Sequence, residues 1–280
     1  MAEKSRISFL KSKANELRKN IITMIHEAKS GHPGGALSIA DVVTALYFDE
    51  MHIDPANPKW PERDRLILSK GHTCPVVYAA LAMRGYYKLD HIHTLRKLGS
   101  ILQGHPDMKK TPGLDMTSGS LGQGLSAGVG MAIGAKLDKL PSRVFVILGD
   151  GEIQEGQVWE AAMTAAKYKL NNLVAIVDCN NLQVDGFCSE IMPVEPLDKK
   201  WEAFGWEVIK IDGHDMEQVV AALAQAKKSG KPVCILATTV KGKGVSYMEN
   251  VCEWHGIAPD AEQYRCAMNE LEECTGGKAR

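Results

Sequence analysis

Asp150 and Asn180 sit thirty positions apart, each just beyond a short apolar run, Val144–Leu148 before the first and Leu173–Val177 before the second. If both runs are neighbouring parallel strands, both polar ends emerge at the carboxyl edge of one sheet, where α/β proteins bind ligands. Asp150 offers a carboxylate, Asn180 a side-chain carbonyl, and the bend at Asn181-Leu182 a backbone carbonyl from Leu182. Three oxygen donors suit a hard divalent cation such as Mg²⁺, with diphosphate oxygens and water completing the shell. Gly149 and Gly151 flank the aspartate, and without side chains their backbone N–H groups are expected to approach phosphate oxygens. A lone Gly-Asp-Gly more often marks a turn. The second polar strand end is what makes it a site.

Four of the nine histidines lie in loops flanked by Gly or Pro: His32, His72, His105 and His255. A single loop imidazole usually does no more than bond the backbone. Four of them in similar settings suggest proton handling, because neutral imidazole donates to or accepts from a hydroxyl near pH 7.

The elements that must position these groups follow from periodicity. Leu17, Ile21, Ile25 and Ala28 share one face of a helix over 12–28, a second helix opens at Ser38–Asp41, and Pro75 suits the first turn of a third. From Arg143 onward the pattern changes to the apolar runs Val144–Leu148, Leu173–Val177, Val208–Ile211 and Val233–Ala237. Helical stretches at Val158–Tyr168, Lys199–Phe204 and Met216–Lys228 alternate with them. That alternation predicts an α/β fold, a doubly wound parallel sheet preceded by a helical and loop region. The expected organisation is a single domain over 1–280, with loops plus one short helix from Lys241 onward and a polar tail from about 260. The helix expected over Leu121–Leu137 is rich in Gly and Ala, and each helical Gly costs about 1 kcal/mol. Close backbone packing against the sheet or a second subunit would justify that cost.

A net charge of −1 gives no electrostatic footprint for nucleic acid or an anionic membrane. No apolar stretch is long enough to span a bilayer, and the N-terminus lacks the apolar core of a secretory signal. Seven irregularly spaced cysteines without a C-x-x-C pair argue against a disulfide framework and for a reducing, cytoplasmic setting. Cys252 and His255 have a metal-like spacing, but no second pair completes a zinc site.

Gly149-Asp150-Gly151 followed by Asn180 resembles the signature of thiamine-diphosphate enzymes. Further blocks narrow the resemblance to transketolases: Ser30–Gly35, Asp64–His72, Gly104–Asp107, Thr117–Gly124 and Trp254–Gly256, all in the family's order. Ser120 stands where the family usually has Pro, and Asn181 where it usually has Gly. With Gln103–Met108 and Val240–Gly244, these changes resemble two-gene transketolases, whose N-terminal subunit is about this size.

The resemblance implies a thiamine-diphosphate-binding domain of the diphosphate (PP) type, with thiamine diphosphate and Mg²⁺ as cofactors and Ca²⁺ or Mn²⁺ as substitutes. It implies that His105 holds the donor's C1 hydroxyl, while His32 and His255 handle the reacting hydroxyl and the acceptor aldehyde oxygen. His72 and His255 would lie near the diphosphate, Leu121 against the thiazolium ring and Gly119 near the cofactor. Gly149, Gly151 and Asn180 would face the cofactor as well, with Asp150, Asn180 and Leu182 on the metal. Glu155 has two readings, a helix N-terminal charge and a carboxylate network crossing a dimer interface, and Asp115 has the same two. The expected partner is a C-terminal transketolase subunit carrying the pyrimidine-binding and C-terminal domains, in an α2β2 assembly acting on sugar phosphates. It would supply the glutamate that activates the cofactor, since too few residues follow Pro259 for a second sheet. The rival readings are a 1-deoxyxylulose-phosphate-synthase-like or other thiamine enzyme half, and a non-catalytic cofactor-binding subunit.

Overall fold

In the computed structural model, which describes residues 3–273, the apolar runs of the second half are strands of one sheet. The strands are β1 (Arg65–Leu68), β2 (Val144–Gly149), β3 (Leu173–Cys179), β4 (Glu207–Asp212) and β5 (Val233–Thr238), all parallel in the order β1-β2-β3-β5-β4. Burial on both faces explains why the central strands read as continuous apolar runs rather than alternating ones. Phe145, Ile147, Val174, Ile176 and Ile235 point to one face. There they meet α1 (Glu3–Ala28), α3 (Ala40–Ala45), α4 (Pro75–Met83) and α9 (Met216–Ala226). Val146, Leu148, Ala175, Val177 and Leu236 point to the other face. Their partners are α5 (Gln123–Leu137), α6 (Gly156–Lys167) and α8 (Leu197–Ala203). The sheet is doubly wound, as expected.

Three features differ from the sequence reading. The first half is not all helix and loop, because β1 lies there as an edge strand of four residues. So short a run, hemmed in by Asp64 and Ser69, carries too few periods to read as a strand. The helix expected to open at Ser38–Asp41 begins earlier and is broken at Ile39, into α2 (Pro33–Ser38) and α3, with a wide turn over Leu46–Glu50. The short helix expected after Lys241 lies over 261–273, inside the segment expected as a polar tail. It is α10 (Ala261–Glu273), which buries Ala267 and Leu271 against α1, and Tyr264 stacks on His26 at 4.4 Å. Cys274 lies outside the described residues.

The small side chains of α5 divide by face. A Cβ on Gly124 would overlap the Ser69 side chain, and one on Gly128 would stand 2.6 Å from Val146, so these two glycines let the helix lie on the sheet. Gly130 and Gly134 face open space, where close packing on the sheet gives no reason for them.

Candidate functional site

The carboxyl ends of β1, β2, β3 and β5 surround a cleft of about 170 Å³. Its lining includes Lys70, His72, Leu121, Gly149, Asp150, Gly151, Asn180, Leu182, Lys241 and His255. Asp150 and Asn180 do leave adjacent strands at one edge, since Gly149 pairs with Asp178 in the β2–β3 ladder. The Asn181 N–H donates to the Asp150 carboxylate at 2.5 Å, which ties the two strand-end turns together. Burial, and then the charge of Asp178, push the Asp150 carboxyl up to about 6.

The Asn180 side-chain carbonyl accepts from the Leu182 N–H at 3.0 Å, and the Leu182 carbonyl accepts from the Lys241 ammonium at 3.1 Å. Each oxygen keeps a second lone pair for a cation. The glycine amides differ from expectation. The Gly149 N–H donates to Glu152 at 3.0 Å and the Gly151 N–H to Asp150 at 2.8 Å, so both glycines line the cleft with their amides already engaged. The buried carboxylate that follows the Gly-Asp-Gly turn takes the first of them, and Asp150 itself takes the second.

Three of the four histidines gather at the mouth. Ring centroids are 5.1 Å apart for His32 and His72, 5.5 Å for His32 and His255, and 5.1 Å for His72 and His255. Burial first, and neighbouring cations second, hold all three neutral: His32 and His255 fall to about 4, and His72 to about 2. Nδ1 of His32 is buried with no hydrogen-bond partner. His105 stands apart on an exposed loop, its imidazole against Gly119, where an added Cβ would meet it at 3.3 Å. Leu121 lines the cleft and is 38% exposed. Glu155 lies outside the lining, exposed at the start of α6, where a side chain on Gly122 would touch it. Asp115 is buried in ion pairs with Arg63 at 2.6 Å and Arg65 at 3.2 Å.

Sequence reasoning missed four polar side chains under the cleft. Asp178 is fully buried and bonded to Lys70, Ser38, Thr239 and, at 3.1 Å, Asn180. Burial pushes its carboxyl up, but Lys70 and these donors outweigh that and hold it below the usual carboxylate range. Glu152 accepts from the Ser69 hydroxyl and from the amides of Gly122 at 2.9 Å and Gly149 at 3.0 Å, clamping β1, β2 and the entry to α5. Lys241 is 2% exposed and reaches Leu182, Gln183 and, at 3.0 Å, Nδ1 of His255, with no carboxylate partner among the described residues. A polar residue inside a strand end, as Asp178 is, was the available signal.

These charges state what the cleft fits. A buried ammonium without an anion and a buried carboxyl driven toward its neutral form both carry a desolvation cost. A diphosphate for Lys241 together with a divalent cation for Asp150 relieves both. Among the described residues no cluster of three or more His, Cys, Asp or Glu is placed to hold a metal. The oxygen set Asp150, Asn180 and Leu182 is of another kind and suits a hard cation. Among the described residues no helix is long and apolar enough to cross a membrane.

Comparisons with known proteins agree with this chemistry. The family described as "Transketolase, thiamine diphosphate binding domain" matches residues 10–271. The chain is 50% identical to the 6-deoxy-6-sulfo-D-fructose transketolase subunit SqwG of Clostridium sp. (strain MSTE9), covering 94% of this chain and 96% of that one. It is 43% identical to one subunit of the apulose-4-phosphate transketolase of Phocaeicola vulgatus, over 95% of each. Human transketolase is 42% identical over 91% of this chain, which spans 40% of that longer protein. The crystal structure of transketolase from Campylobacter jejuni superposes with a TM-score of 0.90 at 36% identity, over 95% of this chain and 43% of that one. With a family match across nearly its whole length and the cleft its chemistry requires, this chain belongs to the transketolase thiamine-diphosphate-binding domain family.

Proposed function

We propose that this chain is the N-terminal subunit of a split transketolase, which transfers a two-carbon ketol unit from a ketose phosphate to an aldose acceptor. The observation that carries this reading is the pattern of coverage. Relatives named as subunits are matched over 95–96% of their own length, whereas this chain spans 40% of the single-chain human enzyme. Bound thiamine diphosphate supplies the nucleophilic carbon that holds the two-carbon unit.

The chain's own residues bind and steer. Lys241 and His72 face the diphosphate, and Asp150, Asn180 and the Leu182 carbonyl hold Mg²⁺, with Ca²⁺ or Mn²⁺ able to replace it. Gly149, Gly151, Leu121 and Gly119 keep the walls low enough for the cofactor. His32 and His255, kept neutral by burial, take the proton of the reacting hydroxyl and return it to the acceptor oxygen. His105, on the open side, donates to the donor's C1 hydroxyl. The partner is a C-terminal subunit with the pyrimidine-binding and C-terminal domains, which brings the activating glutamate and most of the sugar-phosphate grip. The assembly is α2β2, with Glu155 at the face between subunits, and its setting is the cytoplasm.

Reconstitution tests this reading. The purified chain with thiamine diphosphate and Mg²⁺ shows no ketol transfer above background, and adding the C-terminal subunit restores it. Robust turnover by the chain alone overturns the proposal. Pyruvate-dependent condensation in the complex would move it to the 1-deoxyxylulose-phosphate-synthase class.

A further inference from the structure

Arg96 has a place in the cleft mouth that none of the motifs accounts for. It is an exposed arginine on the loop after the turn Leu89–Thr94, with φ +61°, a left-handed conformation that costs a non-glycine residue energy and persists only where its surroundings hold it. Its backbone N–H donates to the Leu102 carbonyl at 2.9 Å, closing the loop. Nη1 donates to the Ser30 hydroxyl at 2.8 Å, two residues before His32. Nη2 reaches the Gly104 carbonyl at 3.4 Å, directly before His105. A Cβ on Gly104 would stand 3.3 Å from the guanidinium carbon, so glycine there lets the fork lie flat on the backbone. Among the described residues no carboxylate pairs with Arg96, so its charge is not neutralised locally.

We infer that Arg96 is a positioning residue: its guanidinium fork staples the loop of His32 to the loop of His105 and keeps a fixed positive charge beside both imidazoles. A planar fork with several donors can bridge two loops in a way a lysine point charge cannot. The two functions, staple and charge, are separable by substitution. The inference rests on the proposed sugar-facing roles of His32 and His105, although the charge and the staple exist without them.

The charges around each ring make the electrostatic part testable. His32 is lowered first by burial and then by Arg96, His105 and Lys241, and it also contacts the rings of His72 and His255. His105 is lowered by burial and then by Arg96. Removing the cation therefore raises both imidazoles toward their ordinary value, because a nearby positive charge disfavours imidazolium.

Two variants separate the parts. Arg96→Gln keeps hydrogen-bonding capacity and removes the charge, and Arg96→Lys keeps the charge and removes the fork. In NMR titrations of the full-length chain, Arg96→Gln should move the His105 midpoint up by about half a unit to one unit, the scale of one nearby charge in a half-exposed setting, and His32 in the same direction. Arg96→Lys should leave both midpoints within about 0.2 units of the parent, well under the one-charge effect. In the reconstituted enzyme both variants should lower kcat/KM for the ketose donor about 10-fold or more, the scale of losing a positioning contact. Only Arg96→Gln should also shift the acid limb of kcat/KM to higher pH. Unmoved midpoints in Arg96→Gln overturn the charge role, and parent-like kcat/KM in Arg96→Lys overturns the staple. The titration needs no turnover, so failure of the transketolase reading would appear separately, as an inactive parent complex.

Discussion

On the floor of the cleft almost every polar side chain answers another, whereas on its rim the reactive groups stand loose. Asp178 is fixed by Lys70, Ser38, Thr239 and Asn180, and Glu152 by Ser69 and two backbone amides, so four strands and the start of α5 share one network. Among the described residues Lys241 and Asp150 line the cleft there without a salt bridge, and so does Glu152, whose carboxylate is met by a hydroxyl and two amides. On the rim, His105 and Glu155 are exposed, Leu121 is 38% exposed, and Nδ1 of His32 is buried without a partner. The difference teaches which half of the chemistry this chain carries complete. A network buried on rigid strand ends fixes charge before any ligand arrives, which is how a cofactor site is preorganised. A rim with unanswered groups suits a surface that meets sugar and a second polypeptide.

The largest effect expected from that contrast lies on the floor. Asp150→Ala removes the only charged donor in the proposed metal set. Mg²⁺-dependent affinity for thiamine diphosphate, measured by calorimetry on the reconstituted enzyme, should fall by about 100-fold or more, the scale of a charged contact in a buried site. The fold should persist in circular dichroism, because Asp150 lies beyond the strand end. Affinity within a factor of two of the parent would remove Asp150 from the metal set.

Lys241→Met sharpens the same point with two readouts of opposite sign. Cofactor affinity should drop about 10- to 100-fold, for loss of one charge-assisted contact. The cofactor-free chain should gain a few degrees in Tm, because a buried ammonium without an anion is replaced by an apolar chain of similar length. If the cofactor-free form instead loses stability, Lys241 is held by its two carbonyls as a structural group, and the ammonium was not awaiting an anion.

His105→Ala moves to the rim and should leave the floor untouched. Cofactor affinity should stay within about twofold, while kcat/KM for hydroxylated ketose donors falls about 10- to 100-fold, the scale of one or two polar contacts in a transition state. A donor without the C1 hydroxyl should lose far less. Equal losses for both donors would make His105 a structural residue.

The rim was more legible in the sequence than the floor. His32, His72 and His255 stand out because glycine and proline frame them, and they do converge. The Gly-Asp-Gly turn and Asn180 were readable because an apolar strand ends in front of each. Asp178, Glu152, Lys70 and Lys241 were not readable in the same way. Each is a charged residue beside a motif, and sequence spacing does not say whether such a residue turns outward or inward. The parallel order β1-β2-β3-β5 brings Lys70, Asp178 and Thr239 together at one edge, and strand order is a long-range property. The same limit hid β1, whose identity comes from pairing with β2 rather than from its own four residues. The amide roles given to Gly149 and Gly151 failed locally, because neighbouring carboxylates reach those N–H groups first.

The smallest expected effect concerns pH, and it separates floor from rim without any substitution. The Asp150 carboxyl lies at about 6 without metal, raised by burial and by Asp178, while His32 and His255 lie at about 4. A cation needs the ionised carboxylate, so protons compete with metal. Metal-dependent cofactor affinity is therefore close to full from about pH 7 upward, half lost near pH 6, and lost further as pH falls below that value. From pH 7 to 5 the ionised fraction of Asp150 falls about tenfold, which sets the expected loss of affinity. Over the same interval His32 and His255 stay about nine-tenths neutral or better, so the proton-handling rim keeps its working form. Activity lost between pH 7 and 5 should then return when thiamine diphosphate and Mg²⁺ are raised to saturation. Asp150→Asn, which cannot titrate, should bind weakly with little dependence on pH across this range. Cofactor affinity that stays flat from pH 7 to 5, or a loss of kcat that saturation does not restore, would mean that the rim titrates first and that the contrast between the two regions is drawn the wrong way round.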